Sequence, residues 1–216
     1  MADTYTFTKR EEAANAITHG VGAALSIAAL VLLIVFSAER GTALHVVTFT
    51  VYGTAMLLLY AASTLVHSFP EGKAKRVFEV LDHSFIYVFI AGTYTPILLH
   101  IVQGTLGWTL FGVIWGLTAA GVVFKSFFAS KFLFTSTLLY IAMGWAVVFA
   151  WEPLTEHLAP GGLKLLISGG LLYTFGTVFY MWRSFRFHHA VWHLFVLGGS
   201  VVHFFAILLY VLPGRS

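Results

Sequence analysis

Apolar residues along this chain come in long runs, not in the short alternations or half-faces of a water-soluble fold. A helix that crosses a bilayer needs about 20 mostly apolar residues, because about 30 Å of hydrocarbon is covered at about 1.5 Å per residue. Seven stretches reach that length: His19 to Ala38, Leu44 to His67, Asp82 to Val102, Leu106 to Phe124, Phe132 to Ala150, Leu163 to Trp182 and His189 to Leu212. Charge, Gly or Pro marks every break, as in Glu39-Arg40-Gly41, in the segment from Pro70 to Arg76, and in Glu152-Pro153. The pattern predicts an all-α fold, a seven-transmembrane helix bundle, as a single domain over residues 1–216. The connections are short, so consecutive helices are expected to run antiparallel. Pro96 is expected to kink the third helix, since it lacks the backbone donor and crowds the preceding turn. The first 18 residues are polar, and the apolar run after them exceeds the core of a secretory signal. That first run therefore reads as a span that stays in place.

Composition supports the same class. The chain is 59% apolar and 10% charged, against about 45–50% and about 25% in soluble domains. So few charges cannot cover a water-facing surface, and most of the exterior must face lipid. A formal charge of +3 is too small to argue for nucleic acid. The position of the charges says more. Lys9, Arg10, Lys73, Lys75, Arg76, Lys125, Lys131, Arg183 and Arg186 fall on one side of the predicted topology, and Arg40, Lys164 and Arg215 on the other. Short cytoplasmic loops carry the excess of Lys and Arg. The N-terminus is thus expected in the cytoplasm and the C-terminus outside, consistent with an odd number of spans. A light-driven retinal protein is excluded, because the seventh span has no lysine for a Schiff base.

There is no cysteine, so any metal must be held by histidine, carboxylate or water. Ionisable groups at the edge of a membrane helix are costly and default to a functional hypothesis. On the predicted topology His67 ends the second helix, Asp82 opens the third, and His189 and His193 open the seventh, all at the cytoplasmic level. Glu12, Asn15 and His19 precede or open the first helix on that side. His189 and His193 are four residues apart and share a helix face. By itself this spacing also suits interfacial histidines bonded to neighbours. With His67 supplying a third nitrogen, it becomes three protein ligands and one open position, the pattern of catalytic zinc. Ser63 lies one turn deeper than His67 on the same face. It could orient a ligand or bond a substrate oxygen, or simply back-bond to its own helix. Asp82 would find a partner in metal-bound water, or alternatively in a loop cation. His203 lies about 15 Å along the helix from His193, too far to share an ion.

Several segments resemble bacterial hemolysin III proteins: Glu11 to Gly20, His67 to Arg76, Leu81 to Tyr87, Ala91 to Pro96, and His189 to Ser200. That family is part of the progestin and adipoQ receptor superfamily, which includes the adiponectin receptors. The resemblance covers nearly the whole chain. It implies a seven-helix fold of a bacterial inner membrane with zinc held by three histidines near the cytoplasmic side. The Ser-x-x-x-His motif falls on Ser63 and His67, the third-helix Asp on Asp82, and His-x-x-x-His on His189 and His193. Because the superfamily resembles alkaline ceramidases, it also implies hydrolysis of a lipid amide. Asp82 would hold and deprotonate water, Ser63 would support the oxyanion, and a membrane lipid would enter sideways.

Two other expectations compete. A non-enzymatic membrane sensor or homeostasis factor would use zinc only to staple helices. A cytolytic pore would need a continuous polar stripe, which the spans do not supply.

Overall fold

The structure is a computed structural model that describes residues 6–129 and 131–212. Among them there is no strand. The helices are α1 (Lys9–Arg40), α2 (Ala43–Ser68), α3 (Lys73–Ile97), α4 (Gly104–Phe128), α5 (Leu133–Gly144), α6 (Trp151–His157), α7 (Pro160–Met181) and α8 (His188–Ala206). Wider π turns extend α3 over Leu98–Val102 and α8 over Ile207–Val211, and a 3₁₀ turn, Ala146–Ala150, joins α5 to α6. Counted as continuous spans, seven helices are long and apolar enough to cross a membrane. The seven-span expectation holds. Arg215, counted above on the outer side, lies outside the described residues.

Two helix starts differ from the sequence expectation. α1 begins ten residues before His19, because Thr8 and Glu11 form a capping box: the Thr8 hydroxyl accepts from the Glu11 N–H, and the Glu11 carboxylate accepts from the Thr8 N–H at 2.9 Å. Glu12, Asn15 and His19 therefore sit inside the helix. α3 begins at Lys73, so Asp82 lies in its third turn, not its first. Hydropathy located the apolar part of each helix. The polar turns that extend α1 and α3 beyond that part carry no hydropathy signal.

The fifth span is also broken where one helix was expected. Trp145 leaves helical geometry, and the Tyr94 hydroxyl donates to the Gly144 carbonyl at 2.7 Å while accepting from the Val147 N–H at 2.8 Å. In lipid such freed backbone groups need an internal partner, and Tyr94 supplies one to each. Pro96 lies in the last turn of α3, directly before the π turn.

The buried face of α1 is Glu11, Asn15, His19, Gly22, Ser26, Ala29, Leu33 and Ser37. Its exposed face includes Ile17, Val21, Leu25, Val31 and Val35. Polar and small residues face the bundle and large apolar ones face outward, the reverse of a soluble helix. α1 packs on α2, α2 on α3, α3 on α4 and α7 on α8, and α8 returns against α1. This closure brings the N-terminal ends of α1 and α8 beside the C-terminal end of α2.

Candidate metal centre

The start of α8 is fixed by a costly backbone arrangement. Phe187 is left-handed, with φ 62° and ψ 14°, a conformation a bulky residue adopts only when its surroundings demand it. Its N–H donates to Glu11 Oε1 of α1 at 3.2 Å. His188 binds α7 through Nδ1 and the Phe179 carbonyl at 3.1 Å. The following turn then carries His189 and His193 inward.

One ring nitrogen each from His67, His189 and His193 lies within 4.8 Å of the others. The ring centroids are 4.5 Å apart for His189–His193, 5.1 Å for His67–His189 and 5.3 Å for His67–His193. These residues, 122 positions apart in the chain (189 less 67), are positioned to hold one metal ion. A tetrahedral ion with bonds of about 2.0–2.1 Å needs nitrogens about 3.3 Å apart, within reach of small side-chain rotations.

The remaining ring nitrogens indicate which tautomers are present. Nδ1 of His67 lies 2.6 Å from Glu12 Oε2, so that carboxylate accepts the Nδ1 proton and leaves Nε2 for an ion. Nδ1 of His193 meets the Asn15 carbonyl at 3.2 Å and the Thr18 hydroxyl at 3.1 Å. The Thr18 proton is already directed to the Ala14 or Asn15 carbonyl, each at 2.9 Å. The His193 ring is therefore the donor, and its Nε2 is likewise left unprotonated. Both rings fit a cation. Glu12 also pairs with Lys75 at 2.5 Å, and Lys75 with Glu71 at 3.0 Å. Phe7 lies against His67 and His189, with centroids 5.8 and 5.1 Å away.

Below the cluster opens a cavity of about 800 Å³, at the large end of the range of about 300–1,000 Å³ for small-molecule sites. Arg76 and Ile97 of α3 both line it, so it extends about 30 Å along the bundle. The three histidines, Ser63 and Asp82 share its wall. Ser63 is 1% exposed and makes no side-chain hydrogen bond among the described residues. Asp82 stays outside the three-nitrogen group. It forms no ion pair with a loop cation among the described residues, and it lies near the phenols of Tyr140 and Tyr180. His83 also lines the cavity, 3.5 Å from the Tyr180 hydroxyl.

The sequence reading did not assign roles to Glu12, Asn15, Thr18 or His19. His19 is 4% exposed and stacked on His193 with centroids 3.4 Å apart. A polar series at helical spacing, Glu12, Asn15 and His19, continuing to Gly22 and Ser26, was the available signal.

Fold and site together define a multi-pass membrane protein with three histidines positioned to hold a metal ion on the wall of a cavity. The haemolysin-III related family profile matches residues 7–204. The chain is 54% identical to Hemolysin-3 of Bacillus cereus over 207 residues, covering 96% of this chain and 94% of that one. It is 53% identical to the Hemolysin-3 homolog of Bacillus subtilis (strain 168), covering 94% and 96%. Human monocyte to macrophage differentiation factor is 30% identical, covering 96% and 87%. This chain belongs to the haemolysin III family.

Proposed function

We propose that this chain is a zinc-dependent hydrolase of an acyl-amide membrane lipid, resident in the bacterial inner membrane with its N-terminus in the cytoplasm. The observation that carries the reading is the three-nitrogen cluster opening onto a long, largely apolar cavity with Ser63 and Asp82 on its wall. Nitrogen ligands without thiolates suit zinc, and His₃ with an open position is a catalytic arrangement. Zinc, when bound, supplies Lewis acidity to an acyl carbonyl and to water. The protein does the rest. The cavity holds an acyl chain away from water, Asp82 takes the proton from the attacking water and passes it to the amide nitrogen as the C–N bond breaks, and the Ser63 hydroxyl donates to the carbonyl oxygen. His67, His189 and His193 hold the ion.

Purified protein with and without zinc, assayed on acyl-amide and ester lipids, tests this. Metal-dependent cleavage of the amide lipid is expected. Stoichiometric zinc with no cleavage of any lipid offered would remove the enzyme and leave the site structural.

One observation favours that second reading, a non-enzymatic homeostasis factor. The cluster joins α2 to α8, and through Glu12 and Lys75 it also ties in α1 and α3, as a staple would. A closed fourth position with no exchangeable water on the bound metal would support it. A cytolytic role, suggested only by the relatives' names, predicts leakage from ion-loaded liposomes.

A further inference from the structure

We infer that α1, which contributes no metal ligand, selects the tautomer and the aim of two of the three ligand rings, with Glu12 as the positioning residue for His67 and Thr18 with the Asn15 carbonyl for His193. This rests on the metal reading above but makes a claim about residues outside the ligand set.

A neutral imidazole carries one proton, and the nitrogen without it is the only one that can bind a metal. Which nitrogen of His67 carries the proton is set by the hydrogen bond that its ring makes. Glu12 Oε2 at 2.6 Å chooses by accepting from Nδ1. Its other oxygen is held by Lys75, itself anchored by Glu71, so the carboxylate is fixed in place before any ion arrives. At His193 the Thr18 hydroxyl has already committed its proton to its own helix. It can only accept, and so can the Asn15 carbonyl. Two acceptors at about the same distance hold the proton on Nδ1. The stacked His19 ring, tilted by 12° and braced edge-on against Tyr60 with centroids 4.9 Å apart, backs the His193 ring and limits its rotation. Glu12, Asn15 and His19 recur every three or four residues along α1, so one helix face reaches both ligands. Acceptors behind ligating histidines typically contribute about 10–100-fold in metal affinity.

The test uses the full chain in detergent or nanodiscs, with wild type, Glu12→Ala, Glu12→Gln and Thr18→Val. Zinc affinity is measured by chelator competition, and histidine tautomers by side-chain ¹⁵N NMR of the metal-free protein in alkaline buffer. Glu12→Ala should weaken zinc by about 10–100-fold and release His67 from the Nδ1–H tautomer. Glu12→Gln, whose amide oxygen still accepts, should fall between Ala and wild type. Thr18→Val, with the Asn15 carbonyl left, should cost less than Glu12→Ala. If Glu12→Ala does not fold, the Gln variant and the tautomer spectrum decide. Wild-type affinity and an unchanged His67 tautomer in the Glu12 variants would overturn the inference. A merely structural Glu12 would lower the Tm of the metal-free protein without changing either readout, and this also overturns it. Wild type that shows both Nδ1–H tautomers yet takes up no zinc would sink the metal reading alone.

Discussion

Replacing Gly22 by alanine probes how tightly α1 is fitted behind the histidine cluster. Gly22 faces the Tyr60 ring of α2, and a Cβ built there would stand 2.6 Å from Cε1 and 2.9 Å from Cγ, where carbon atoms normally rest about 3.5–4.0 Å apart. Tyr60 cannot yield freely. Its hydroxyl donates to Ser200 Oγ of α8 at 2.7 Å, and its ring braces His19. Overpacking costs about 1–3 kcal/mol, and loss of the hydroxyl bond about 0.5–1.5 kcal/mol. Removing a helical glycine returns about 0.5–1 kcal/mol. The net expectation is about 0.5–4 kcal/mol of destabilisation, centred on several degrees of Tm at about 2–4 °C per kcal/mol for a chain of this size. Gly20 is the control, because its added Cβ would meet only Thr64 Cγ2, at an ordinary 3.7 Å. Gly20→Ala should be neutral or stabilising. The assay is thermal unfolding of purified protein in one detergent, followed by tryptophan fluorescence. If Gly22→Ala is as stable as Gly20→Ala, the close α1–α2 fit, and with it the bracing of His19, is wrong.

Other outcomes follow from the same geometry. Single alanine replacements of His67, His189 and His193 should each strip zinc from the purified protein by elemental analysis, whereas His203→Ala, bonded to the Leu166 carbonyl at 3.0 Å and remote from the cluster, should retain it. Asp82→Asn should keep full metal content and lose lipid-amide hydrolysis; retained turnover would remove Asp82 from the reaction. Tyr94→Phe leaves the Gly144 carbonyl and the Val147 N–H without this partner in the membrane, and at about 1–3 kcal/mol for each it should lower Tm by more than Tyr210→Phe, at an exposed tyrosine, does. Chelation should lower the Tm of wild type but not of His193→Ala, because an ion bound only by the folded state stabilises it by mass action.

The sequence alone determined the class of the molecule and the candidate residues. Spans are legible because hydrocarbon thickness imposes a length of apolar chain that no other demand imposes on so many segments. His-x-x-x-His is legible because helical periodicity makes two rings neighbours before any packing is known. Tertiary structure decided which distant side chains meet. His67 and Glu12 are 55 positions apart and bond at 2.6 Å only because α1 and α2 pack side by side. His193 reaches Asn15 because α8 closes against α1, an arrangement that no local pattern encodes. The break at Trp145, held by Tyr94 from another helix, was hidden for the same reason, whereas the early starts of α1 and α3 are local polar turns that an apolar-run criterion passes over. Capping and backbone satisfaction depend on single hydrogen bonds, which hydropathy does not register.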